Sequence, residues 1–198
     1  MVFVYGSRVD ALPLGDYYDG WGPDSVTFNA SGDGRTMSGR IDFAVYEVYP
    51  DNPLSDGDYI YAYQIFNDSE SEVSIDSLSV GLGLGSGVID IGFDSIGGSE
   101  IDPSYSYFSP DIQNPQSALF VFLPSYVPNG SGVIKSGQES AILLFSSDNV
   151  PTNYFGVIEG GSVSVTKQLP SPTPEPATVL LLGMGGAFLT LTRVKRFG

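Results

Sequence analysis

The chain of 198 residues contains no cysteine and no histidine. Without cysteine there is no disulfide and no thiolate chemistry. Without histidine, His-dependent nucleophilic triads and the usual zinc and copper sites are excluded as well. Carboxylates, tyrosines, serines and a few cations are what remain for catalysis, and that inventory lowers the expectation of an enzyme. Cations are scarce, with 8 Lys and Arg against 23 Asp and Glu. All the acids lie at or before Glu175, opposed there by Arg8, Arg35, Arg40, Lys135 and Lys167, so this part carries a formal −18 and the remainder +3. A body this acidic argues against nucleic acid, whose phosphates need a basic surface. It favours solubility and makes cations or hydroxyl-rich polymers the easier ligands.

What the body does contain is the punctuation of an all-β protein. Across the chain, 25 Gly and 14 Pro separate short runs of alternating apolar residues. From Asp58 to Asn67, Tyr59, Tyr61, Tyr63 and Ile65 fall on one face of a strand, with Ile60, Ala62, Gln64 and Phe66 on the other. After a polar turn comes Val73 to Val80, where the apolar phase shifts between Ile75 and Leu78. A bulge at Asp76 or Ser77 restores it, and the two segments together predict an antiparallel hairpin. Ile41 to Tyr49 is a further strand, ended by Pro50-Asp51-Asn52-Pro53. Leu119 to Leu123 and Ala141 to Phe145 are continuous apolar runs, as expected of strands covered on both faces. Tyr154 to Ile158 and Ser162 to Thr166 form a hairpin about Glu159-Gly160-Gly161, while Val26 to Asn29 and Val88 to Phe93 add two more strands. The spacing predicts an antiparallel two-sheet β-sandwich, immunoglobulin-like or jelly-roll-like, of about eight to ten strands over residues 1–167.

Several motifs carry no chemistry on inspection. Gly81-Leu82-Gly83-Leu84-Gly85-Ser86-Gly87 never gives G-x-G-x-x-G and has no P-loop lysine, so it reads as an inter-strand loop. Asp51 to Asp58 resembles a calcium loop, but Tyr63 stands where the bidentate Glu of an EF-hand belongs. A looser site from Asp51, Asp56 and Asp58 is the weaker reading beside a solvated acidic turn, and no metal or other cofactor is assigned. The most suggestive binding feature is Asp16 to Asp24, which sets Tyr17, Tyr18 and the single tryptophan, Trp21, among carboxylates. Aromatic faces stack on the C–H faces of sugars while acids accept hydroxyl hydrogen bonds. Trp21, Tyr17 and Tyr18 are therefore candidate carbohydrate contacts, although Trp21 plugging one end of the sandwich is the more economical reading.

The C-terminus is built differently. Alternating prolines from Pro170 predict an extended, solvated linker over 168–176. An uncharged apolar run from Ala177 to Thr192 follows, and Arg193, Lys195 and Arg196 stand close to the end. Such a run enters a bilayer as a helix while the cations hold the cytoplasmic interface. At sixteen residues it is shorter than the ~20 of a comfortable span, and snorkelling of Arg193 and Lys195 makes up part of the deficit.

Thr173-Pro174-Glu175-Pro176-Ala177-Thr178, then Val179-Leu180-Leu181-Leu182-Gly183 and the basic end, resembles the PEP-CTERM sorting signal of bacterial surface proteins. The resemblance covers about the last tenth of the chain. It implies that Pro174, Glu175 and Pro176 are recognised by a membrane-embedded exosortase, that Arg193, Lys195 and Arg196 fix orientation, and that 177–198 is a short transmembrane helix with its basic tail. It further implies passage through the inner membrane to the cell surface or the extracellular space, in bacteria that make exopolysaccharide and biofilm.

Export also requires an N-terminal signal. Met1 to Gly6 is too short for its apolar region and has no preceding cation, so the expectation is that the true start lies upstream. Three functional classes remain. The leading one is a non-catalytic surface or matrix protein; the others are a carbohydrate-active enzyme using paired carboxylates and a periplasmic sandwich anchored in the inner membrane.

Overall fold

The computed structural model describes residues 12–55, 57–128 and 130–173. The Pro-Glu-Pro box, the apolar run and its cations, the segment Met1 to Gly6 and the candidate calcium ligand Asp56 lie outside the described residues. Within them the chain forms β1 (Asp16–Tyr17), β2 (Asp24–Gly32), β3 (Arg35–Val48), β4 (Tyr59–Asn67), β5 (Ser77–Gly81), β6 (Val88–Asp94), β7 (Tyr105–Ser109), β8 (Ser117–Val121), β9 (Ile142–Ser147), β10 (Pro151–Gly160) and β11 (Val163–Pro172). All the pairings between these strands are antiparallel. One sheet has the order β1-β3-β4-β9-β6, with β2 also on β3; the other is β11-β10-β5-β8-β7. The all-β, two-sheet architecture expected from the sequence is the one found.

Local chemistry explains the pairings. The β2–β3 hairpin closes on Asp33-Gly34, both left-handed (φ 52° and 75°), the two-residue turn whose twist suits a hairpin. The core between the sheets takes Met37, Ile41 and Val45 from β3, Tyr61, Tyr63 and Ile65 from β4 and Phe145 from β9. From the other sheet come Leu78, Val80, Phe120, Ile158 and Leu169. Strand β4 is buried on its other face too, where Ile60 and Ala62 join Leu12, Ala44, Tyr46, Tyr49, Ile142 and Leu144 in a second cluster. The tyrosine hydroxyls in these clusters are satisfied. Those of Tyr17 and Tyr46 both donate to the Pro13 carbonyl at 2.9 Å, and that of Tyr61 to Asn149 at 2.7 Å.

Three expectations need correction. The segment Val73 to Val80 does not form a hairpin with β4, because both edges of β4 are already taken by β3 and β9. Instead the chain crosses to the opposite sheet, where β5 pairs with β10 and β8. The buried Asn67 amide, donating to the carbonyls of Val73 and Ile134 at 3.0 and 2.9 Å, pins the start of the crossing. The phase shift itself is real, since Val73, Ile75, Leu78 and Val80 all reach the core.

The second correction concerns the linker expected from residue 168. Strand β11 continues through Pro172, paired residue by residue with β10, and Leu169, Pro170, Ser171 and Pro172 are buried. Pro170 and Pro172 share one parity, so their missing donors face the same side. On an edge strand that side is the open one, and the ladder loses nothing. In the third, β8 is covered on one face only. Ala118 and Phe120 enter the core, while Leu119 and Val121 are half-exposed on the other side.

Candidate functional site

The segment with the tryptophan lies along the edge of β3, between β1 and β2. Trp21 N–H donates to the Tyr18 carbonyl at 2.9 Å, with Gly20 at φ 80° in the third position of the turn, a place that favours glycine. Tyr18 N–H bonds to the Val45 carbonyl, and Val45 N–H to that of Trp21, at 2.9 and 3.0 Å. Tyr18 and Trp21 are partly buried against the inter-sheet core, and Tyr18 meets Tyr59 edge-on at 5.1 Å. Tyr17 points the opposite way, onto Tyr46 at 4.8 Å in the second cluster. The three candidate contacts are thus divided between two faces of one sheet, not set side by side.

For a metal, no group of three or more Asp and Glu side chains is gathered closely enough among the described residues. Asp51 is left-handed (φ 48°) and exposed. The Gly81 to Gly87 stretch connects β5 in one sheet to β6 in the other. Arg40 and Lys167 line an open depression of ≈ 620 Å³ beside β2, but Arg40 is already committed. Its guanidinium binds Asp42 through Nε at 2.7 Å and Nη2 at 3.0 Å and lies 4.0 Å from the centre of the Phe66 ring. The bond to Asp42 raises its pKa further, against a smaller opposing effect of burial.

The outward face of the five-stranded sheet offers more. Register places Tyr105 of β7 opposite Val121 of β8, Val121 opposite Ser77 of β5, and Ser77 opposite Glu159 of β10. One step along, Tyr107, Leu119, Ser79 and Val157 form a second row. Directly paired residues share a face, and their neighbours Phe108, Ala118, Phe120, Leu78, Val80 and Ile158 are in the core, so both rows look outward. Tyr105 and Tyr107 are 44% and 45% exposed, and Phe155, on the same side of β10, is 58% exposed.

At one end of this face Asp76, Ser77, Leu119, Val121, Pro124 and Glu159 help line an open depression of ≈ 420 Å³. Its carboxylates are held in place: Asp76 Oδ2 accepts from Gly161 N–H at 2.8 Å, and Glu159 Oε2 lies 3.2 Å from Ser77 Oγ, which donates to it. The face thus combines exposed aromatic rings, an apolar and hydroxyl floor, and, at the depression, carboxylate acceptors held by hydrogen bonds. Tyr105 and Tyr107 lie outside the strands and candidate contacts expected from the sequence. The alternation Tyr105-Ser106-Tyr107-Phe108 was the available signal, obscured by the flanking Pro103 and Pro110. Comparison with protein-family models, with curated proteins and with solved structures finds no match to the chain.

Proposed function

We propose that the chain is an exported, non-catalytic bacterial surface or matrix protein. Its acidic sandwich is delivered across the inner membrane by a C-terminal signal of PEP-CTERM type, processed by an exosortase, and left in contact with exopolysaccharide. The observation that carries this reading is the order of parts at the C-terminus. The sandwich ends at Pro172, Thr173 N–H still bonds to the Val150 carbonyl at 3.3 Å, and the Pro-Glu-Pro box, the apolar run and the cations follow at once. In this reading Ala177 to Thr192 crosses the bilayer as a short helix. With at most about 3.6 Å per residue, the five residues from Thr173 to Ala177 reach no farther than roughly 18 Å. The folded domain is therefore held close to the lipid until the tail is removed.

Fractionation in the native host tests this directly. The unaltered chain is expected at the cell surface or in the medium without its last residues, whereas replacement of Pro174-Glu175-Pro176 by three alanines leaves uncleaved protein in the inner membrane. Equal processing of both forms would remove the signal from the account. The non-catalytic part has its own test, since incubation with the host's polymer should release no reducing ends. Release that disappears in Glu159→Gln would make the protein a glycan-cleaving enzyme.

A further inference from the structure

We propose that the outward face of the five-stranded sheet is a trough that binds one strand of a neutral polysaccharide. This rests on the surface reading only for where the polymer is met, because binding itself would be a property of the folded sandwich. One wall is aromatic, with Tyr105 and Tyr107 on the edge strand β7; across the sheet Glu159 and Val157 of β10 face them, and the exposed Phe155 stands one outward position farther along β10. Between β7 and β10 lie three strand spacings, about 14 Å in all. Leu119 and Val121 of β8 with Ser79 of β5 form the floor, while Ser77 is buried beneath it with its hydroxyl donated to Glu159. Tyr105 and Tyr107 are two residues apart along the strand, roughly 7 Å, so each ring can stack on a different sugar unit.

The chemistry of the face selects this occupant. A pyranose ring is apolar on its C–H faces and ringed by hydroxyls, which is the complement of exposed tyrosines, a Leu and Val floor, and the Ser79 hydroxyl. The charged side chains lining the depression are the carboxylates Asp76 and Glu159, acceptors suited to sugar hydroxyls and repulsive to uronate or sulfate groups. An extended peptide gains no ladder on the floor, because β8 is paired on both edges by β5 and β7, and β5 by β10 and β8. A second copy of the chain is disfavoured by charge, since a two-fold contact through this face would gather Asp76 and Glu159 of both molecules, each of net −15, in one interface.

The test is affinity electrophoresis of the purified full chain in a non-glycosidic detergent. Native gels contain hydroxyethyl cellulose, galactomannan or polygalacturonate. We expect retardation by at least one of the two neutral polymers and none by the polyuronate. Tyr105→Ala/Tyr107→Ala should migrate as if no polymer were present. Ser79→Trp, which keeps the walls and fills the floor, should do the same, and both variants should retain the far-UV circular dichroism of the parent. Trp21→Ala should be retarded like the parent, which separates this face from the turn at β3. Retardation by polygalacturonate alone, by none of the polymers, or unaltered in both trough variants would overturn the proposal. So would a concentration-dependent dimer abolished by Tyr105→Ala/Tyr107→Ala, which would assign the face to a second copy. Export and processing are not read by this experiment, so a failure here leaves the sorting signal standing, and the reverse holds.

Discussion

The phenol of Tyr63, in the middle of β4, donates its hydrogen bond to the carbonyl of Pro170 in β11, across the core from one sheet to the other. Both residues are buried, so neither partner has water to fall back on. The bond ties β11 to a strand of the opposite sheet that is buried on both faces. Tyr63→Phe preserves the ring's packing and orphans the Pro170 carbonyl, at an expected cost of about 1–3 kcal/mol. Urea denaturation of the two proteins should show a lower midpoint for the variant with an unchanged slope; coincident curves would mean that the bond contributes nothing.

Strand β11 makes a sharper statement about where the domain stops. A chain ending after Thr173 should melt cooperatively, as the longer protein does. One ending after Gln168 loses Leu169, Pro170, Ser171 and Pro172 from the sandwich, and with them Ser171 Oγ, which donates to the Gly81 carbonyl at 2.6 Å. That shorter chain should lose its thermal transition or show it far lower. If both chains melt alike, these residues are linker after all.

The sequence was ambiguous here for a physical reason. Proline in alternate positions signals an extended solvated chain and an edge strand equally well, and the difference is made by Tyr63, 107 residues away in sequence. The same limit applies to Leu119 to Leu123. A continuous apolar run looks identical whether one or both of its faces are covered, and only the packed fold shows that Ala118 and Phe120 enter the core while Leu119 and Val121 face outward. Conversely, β4 was legible in detail, because its alternation put Tyr61 and Tyr63 on one face and Ile60 and Ala62 on the other, and both sets are buried. The misplaced β4–β5 hairpin came from sequence proximity, which says nothing about strand edges already occupied by distant partners. Of the candidate site, the carboxylates and tyrosines could be read as types, but not which of them would share a face.

Gly39 marks a place where the sheet tolerates no side chain. A Cβ there would stand 2.1 Å from the Phe66 carbonyl oxygen and 2.6 Å from the Phe28 ring. Backbone cannot yield as a flexible side chain does, so Gly39→Ala should destabilise by at least the ~1–3 kcal/mol typical of overpacking. Gly34→Ala, with open space around the added atom but φ at 75°, supplies the contrast of backbone strain without a clash. Thermal melts should place Gly39→Ala lower than Gly34→Ala, and the opposite order would contradict the close approach of β3 and β4.

Alkaline pH should unfold the protein through its tyrosines. Burial pushes the phenols of Tyr46, Tyr49, Tyr61 and Tyr63 well above their ordinary value, with nearby Tyr17 and Tyr49 adding to the effect at Tyr46 and nearby Asp94 adding to it at Tyr49. A group whose folded pKa is raised gives stability that is complete below its unfolded pKa of about 10 and declines as pH rises beyond it. Phenolate absorbance should therefore rise in a late cooperative phase coincident with loss of circular dichroism. A smooth titration of all 12 tyrosines before any unfolding would contradict their burial.

The central claim, that the acidic sandwich is displayed outside the cell, can be read with a single thiol. Because the chain has no cysteine, Tyr126→Cys at an 87% exposed turn provides one addressable sulfur. Intact native-host cells are treated with a membrane-impermeant maleimide, then again after the outer envelope is opened, and again after complete lysis. The account predicts labelling of intact cells or of the released protein. Labelling that first appears on opening the envelope would hold the sandwich in the periplasm and contradict surface display, and labelling only after complete lysis would contradict export altogether.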